Sequence, residues 1–225
     1  MNKNVSIYWI RKDLRVYDNP ALVASVENGA VLPIYILDDT NPGEHKLGSA
    51  SRIWLHQSLE KLNKKFNNNL KFFKGNPIDI LANICETEKI YKIFWNRVYE
   101  PWSIQRDKKI KDTLKVKGID INSFNGSLLW EPWEVLKNDG TPYRIFTPYY
   151  KRGCLRAKEP RAPMNTPNKF DYYELKKIIS IDICNLNLLP KHNWKDKIIK
   201  NWKTYSLQPL SAKNHYSNNI KHLMT

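Results

Sequence analysis

Five short runs of β-branched and aromatic residues, each parted from the next by a stretch of helical length, constrain this chain more than any other feature. Residues 5–10 (VSIYWI) and 31–37 (VLPIYIL) have the near-continuous apolar character of strands covered on both faces, as in parallel sheets. Between them Asn19-Pro20 opens an apolar-periodic stretch that closes at Asn28-Gly29. Proline in the first turn and glycine after the last mark a helix. The unit is β-α-β.

The unit repeats. Residues 49–66 set Ile53, Leu55, Leu59, Leu62 and Phe66 on one helical face, with Ser49 or Ser51 as the expected N-cap. Residues 70–73, 90–95 and 119–124 read as further strands, and 77–88 and 101–117 as the helices between them. Such alternation predicts an α/β fold on a doubly wound, five-stranded parallel sheet, Rossmann-like, with an irregular and basic C-terminal linker. The expected domains are the sheet domain at 1–130, an extended linker at 131–203 and a divergent tail at 204–225. A turn at Asn138-Asp139-Gly140 and the proline-rich stretch 157–170 are the landmarks of the linker.

Composition narrows the setting. At 225 residues and 41% hydrophobic, the chain suits one ordinary domain with an appendage. Its 37 Lys and Arg against 22 Asp and Glu give +15, and +10 of this falls in residues 151–225. That excess suits an anionic partner such as nucleic acid, or reflects a Lys-rich composition without one. No apolar run approaches the roughly 20 residues that span a bilayer, and the first residues lack a signal-peptide pattern, so a cytoplasmic protein is expected. Cys85, Cys154 and Cys184 show neither disulfide nor metal spacing.

In sheets of this type ligands sit beyond the carboxyl ends of the strands, at the point where strand order reverses. The loops after strands one, two and four are the places to look. No GxGxxG, GxxxxGK[ST], GxSxG or HExxH pattern occurs, which disfavours ordinary dinucleotide, P-loop, hydrolase and zinc-protease chemistry. His56 reads as a surface or packing residue. Arg11, Asp13, Arg15 and Asp18 alternate in charge within eight residues. They are expected to form an ion-pair network that stiffens the loop, direct ligand contact being the alternative. Asn96 and Glu100, at the end of strand four, offer an amide and a carboxylate to a heterocycle edge.

The run IYWIRKDLRVYDNPAL resembles the opening signature of the DNA photolyase and cryptochrome family, and four more segments agree in order: LDD at 37–39, GSASRIWLHQSL at 48–59, FWNRVYEPW at 94–102 and GTPYRIFTPYYKR at 140–152. The resemblance covers about residues 5–200. It implies an N-terminal antenna domain, binding methenyltetrahydrofolate or a deazaflavin through Asn96 and Glu100, with Asp38 and Arg52 as further contacts. Val98 stands where some deazaflavin-binding members carry an acid, which favours the folate.

In the family the antenna passes excitation to reduced FAD in a helical domain, which splits a cyclobutane pyrimidine dimer flipped from damaged DNA. The FAD site is expected to be absent here, supplied by a missing or separate chain, and the sequence to be truncated near Trp202. Alone the chain is then inactive in repair and monomeric, with Trp194 and Trp202 as packing residues. A cryptochrome-type blue-light receptor fragment, a nonfunctional truncated remnant, and a binding protein for an unrelated nucleotide are the alternatives.

Overall fold

The computed structural model of the protein describes residues 4–190 together with Trp194 and Asp196. Five parallel strands, β1 (Val5–Ile10), β2 (Ala30–Leu37), β3 (Lys71–Lys74), β4 (Lys92–Asn96) and β5 (Asp120–Phe124), lie in the order β3-β2-β1-β4-β5. Four helices connect them: α1 (Pro20–Asn28), α2 (Ser49–Lys65), α3 (Pro77–Glu88) and α4 (Pro101–Val116). The strand order runs outward in both directions from β1, so the loops leaving β1 and β4 part at the centre and open a crevice. The expected doubly wound five-stranded sheet is the one observed.

Alternation along the strands explains the layering. Tyr8, Ile10, Val31, Tyr35 and Leu37 face a core shared with α1 and α2, whereas Ile7, Trp9, Leu32, Ile34 and Ile36 face one shared with α3 and α4. Every residue of β2 is buried, as the continuous apolar run required. The helix starts follow local chemistry: Asn19 and Asn76 accept from Leu22 N and Ile78 N, and Pro20 and Pro77 occupy the first turns. At α2 the expected serine cap is replaced. Gly48 holds the N-cap position without a side-chain bond, Ser49 is already helical, and Ser51 turns toward the crevice.

The segment beyond β5 carries only short helical turns, from Phe146 to Arg156 and at Ile183–Leu186. Far from standing off as a spacer, residues 170–188 return along the sheet. Tyr172 bridges to Val31 and Ile181 to Phe72, while Leu186 and Leu188 are buried in the α1/α2 core. Glu88, at the end of α3, accepts from Lys176 N, Lys177 N, Ile178 N and the Tyr173 hydroxyl and so pins this segment. Trp194, expected as a packing residue, is exposed. Trp202, the expected truncation point and the tail at 204–225 lie outside the described residues. No helix among the described residues is long and apolar enough to cross a membrane.

Candidate active site: the crevice at the strand ends

The loop leaving β1 is held by its charges, though the partners are mostly distant in sequence. Arg11 ion-pairs with Asp107 of α4 and donates to the Asn96 carbonyl. Asp13 is buried and accepts from the Tyr8 hydroxyl (2.9 Å), Arg11 N (3.1 Å), Asn19 Nδ2 (3.2 Å) and Asn96 Nδ2 (2.7 Å). Burial, helped by the neighbouring Asp13 carboxylate, raises the Tyr8 phenol well above its ordinary value, so it stays a donor. Arg15 donates to the carbonyls of Tyr17, Asp18 and Gly126. Asp18 accepts from Arg161 and from Met164 N, tying in the later segment.

Asn96 belongs to this scaffold. Its amide donates to Asp13 and Asn19 (2.8 Å), its oxygen accepts from Ala21 N (3.2 Å), and it is 2% exposed. Gly126 packs so close that a Cβ there would stand 2.5 Å from Asn96 Cγ. The expected ligand amide is instead a pin between β4, α1 and the β1 loop, because every polar atom already has a protein partner. It borders a smaller hollow of about 550 Å³.

A larger cavity of about 670 Å³ opens between the ends of β1, β2 and β4 and the starts of α2 and α4. Asp38 and Glu100 line it, as do Val98 and Lys12. Glu100 is ion-paired with Lys12 and accepts from Ser103 Oγ (3.3 Å). Asp38 accepts from Arg106 (3.1 Å), whose guanidinium also binds Asp107 (2.9 Å). Burial and the Arg106 charge lower the Lys12 ammonium below its usual value. Arg52 lies behind the wall, donating to Asp39 (2.6 Å) and to the Leu47 carbonyl (2.9 Å), where it braces the 39–47 loop.

The aromatic walls were not foreseen. Trp9, Tyr35, Trp54 and Trp102 line the cavity with Leu47, Leu55 and His45. Trp54 carried a signal: it sits off the apolar face of α2 formed by Ile53, Leu55 and Leu59, and it remains 43% exposed. A large aromatic turned away from the core in the first turns of α2 is free to wall a cavity. Arg106 carried none, since one arginine among the many cations of α4 looks like solvated surface. His56, by contrast, is a buried packing residue of α2, with Nε2 3.4 Å from Glu60 one turn on.

The arrangement can enclose a planar, largely apolar ring and offer it two carboxylate acceptors, with cations beside them. The DNA photolyase family model matches residues 6–168. The chain is 34% identical over 211 residues to the deoxyribodipyrimidine photo-lyase of Agrobacterium fabrum (strain C58), a match of 92% of this chain and 40% of that protein. It is 36% identical over 182 residues to Cryptochrome-1 of Arabidopsis thaliana, covering 79% of this chain and 26% of the other. The crystal structure of a bacterial class III photolyase from Agrobacterium tumefaciens superposes with a TM-score of 0.80 at 33% identity, over 90% of this chain and 42% of that one. The chain therefore spans between about a quarter and two fifths of the length of these proteins.

Proposed function

Since the chain belongs to the DNA photolyase family, we propose that its crevice holds the light-harvesting antenna chromophore of light-dependent repair of cyclobutane pyrimidine dimers. The observation that carries this reading is the cavity itself: about 670 Å³ at the topological switch point, walled by Trp54, Trp102 and Tyr35 and edged by Asp38 and Glu100. Its volume falls within the range of roughly 300–1,000 Å³ typical of small-molecule sites. A pterin ring presents amino and amide N–H donors on one edge, and two ion-paired carboxylates are acceptors set in advance for them. Bound there, the chromophore absorbs light and supplies excitation.

The chain's own residues do the holding. Lys12 and Arg106 fix the orientation of Glu100 and Asp38, and they also offer positive charge to an anionic tail. Val98 contributes an apolar wall where an acid would suit a deazaflavin, which favours methenyltetrahydrofolate. Asn96 and the Arg11, Asp13, Arg15 and Asp18 loop keep the floor rigid. In this reading FAD and damaged DNA are engaged by the length of a photolyase that lies outside the matched part, in the same polypeptide or in a separate chain. In this reading the excess of Lys and Arg over Asp and Glu in residues 151–190 favours an anionic backbone.

A second reading, a cryptochrome-type blue-light receptor built on the same cavity, draws on the similarity to Cryptochrome-1. Equilibrium titration with 5,10-methenyltetrahydrofolate, a deazaflavin and FAD tests the assignment. Saturable one-to-one binding of the folate is expected. Saturation by none of the three would remove the antenna reading.

A further inference from the structure

A stack that binding alone does not explain runs inward from the cavity wall. Trp102, Arg106, Trp9, Arg11, Trp95 and Lys111 alternate aromatic ring and cation. The Arg106 guanidinium carbon lies 5.0 Å from the Trp102 ring and 5.2 Å from Trp9; that of Arg11 lies 5.0 Å from Trp9 and 5.4 Å from Trp95. Lys111 Nζ stands 5.8 Å from Trp95, and the Trp9 and Trp95 rings meet edge-on at 5.3 Å. Both inner indoles are almost wholly buried, at 1% and 0% exposure.

An indole is the most easily oxidised ring in a protein, and one placed against an excited chromophore is a ready electron donor. The ladder opposes that. Taking an electron from Trp9 creates a positive charge between two guanidinium groups, in a setting poor in water where charge repulsion is weakly screened. Asp38 and Asp107 balance two of the three cations, but they bind the guanidinium groups, which are what the rings meet. Among the described residues no group accepts from Trp9 Nε1 or Trp95 Nε1. An oxidised indole thus has no neighbouring base to take its proton and trap the radical.

We propose that Arg106 and Arg11 hold Trp9 and Trp102 electronically inert, so that light absorbed in the cavity is passed on as excitation instead of being lost to electron transfer from these two rings. This rests on the antenna reading above. The step suppressed moves one electron from an indole to the excited chromophore, oxidising the first and reducing the second; recombination restores both. Arg106 is in this sense a tuning residue of the site, acting through Trp9 and Trp102.

The test is the fluorescence lifetime of 5,10-methenyltetrahydrofolate bound to the unsubstituted chain, Arg106→Lys, Arg106→Gln and the double variant Arg106→Gln/Trp9→Phe. The lysine variant keeps the lifetime, the glutamine variant shortens it by about twofold or more as the charge is lost, and removing Trp9 restores it in part, Trp102 remaining as a donor. Equal lifetimes in a cooperatively melting Arg106→Gln protein overturn the proposal while leaving the antenna reading in place. If the unsubstituted chain binds no folate, both fall. Transient absorption of a loaded Trp54→Phe chain keeps both arginines: no tryptophan radical is expected after the flash, and its appearance overturns the proposal.

Discussion

Arg11 and Asp107, 96 residues apart, form an ion pair beneath the cavity floor with side chains 5% and 11% exposed. It joins the β1 loop to α4, the two elements whose separation defines the crevice, and Asp107 holds Arg106 as well. Stability and site geometry therefore meet in one carboxylate.

Asp107→Asn leaves two buried guanidinium groups with one fewer anion, and the expected cost is about 3 kcal/mol or more. Asp120→Asn breaks an exposed pair with Lys92, where about 0.5 kcal/mol or less is expected. Urea unfolding of the two variants measures the contrast, and comparable losses would show that the Arg11 pair is not desolvated as described.

Ile34 lies at 0% exposure in β2, facing α3 and α4. Ile34→Asp puts an unpaired charge into the sheet and should cost more than about 4 kcal/mol, enough to unfold the domain. The check is circular dichroism with thermal melting, which should show no cooperative transition.

Glu88 governs how the chain beyond residue 170 stays docked. Burial pushes its carboxyl up, but the amides of Lys177 and Lys176, the Tyr173 hydroxyl and the Ile178 amide more than offset this, and its pKa falls below the ordinary value. The folded value being lower than the unfolded one of about 4.3, the contribution is complete above that pH and disappears as pH falls through the folded value. Hydrogen exchange at residues 172–181 should be faster in Glu88→Gln than in the unsubstituted chain at pH 7. The gap should close as pH falls through the lowered folded value.

Glu100→Ala removes a half-exposed carboxylate from the cavity edge without touching the core. Folate affinity is expected to fall by about tenfold, the loss of one charge-assisted hydrogen bond, with the melting temperature little changed. Unaltered affinity by titration would take Glu100 out of the site.

The strands and helices were legible because burial on both faces leaves an unbroken apolar run, as in VLPIYIL, and because asparagine-proline pairs punctuate the helices. Boundaries slipped at the helix ends, where local backbone geometry decides. Ile90 lies in the turn before β4, its amide bonded to the Cys85 carbonyl, and Gly48 rather than a serine precedes α2. Asp38 and Glu100, which line the cavity, stand out in the sequence because charged residues at strand ends contrast with apolar neighbours. Asn96 was assigned to the ligand because a sequence does not show that Asp13, Asn19 and Ala21 converge on one amide. Arg106 was missed for the converse reason: its meaning depends on Asp38 and Trp9, which the fold alone brings to it. The packing of residues 170–188 was equally hidden, since its apolar residues follow neither a helical nor a strand period.

The central claim is that this crevice holds an antenna chromophore, and the most direct measurement is the absorption spectrum of the purified chain after incubation with 5,10-methenyltetrahydrofolate and removal of the free compound. A retained, stoichiometric pterin band that is diminished in Glu100→Ala is the predicted result. A chain that emerges colourless, while still melting cooperatively, would contradict it.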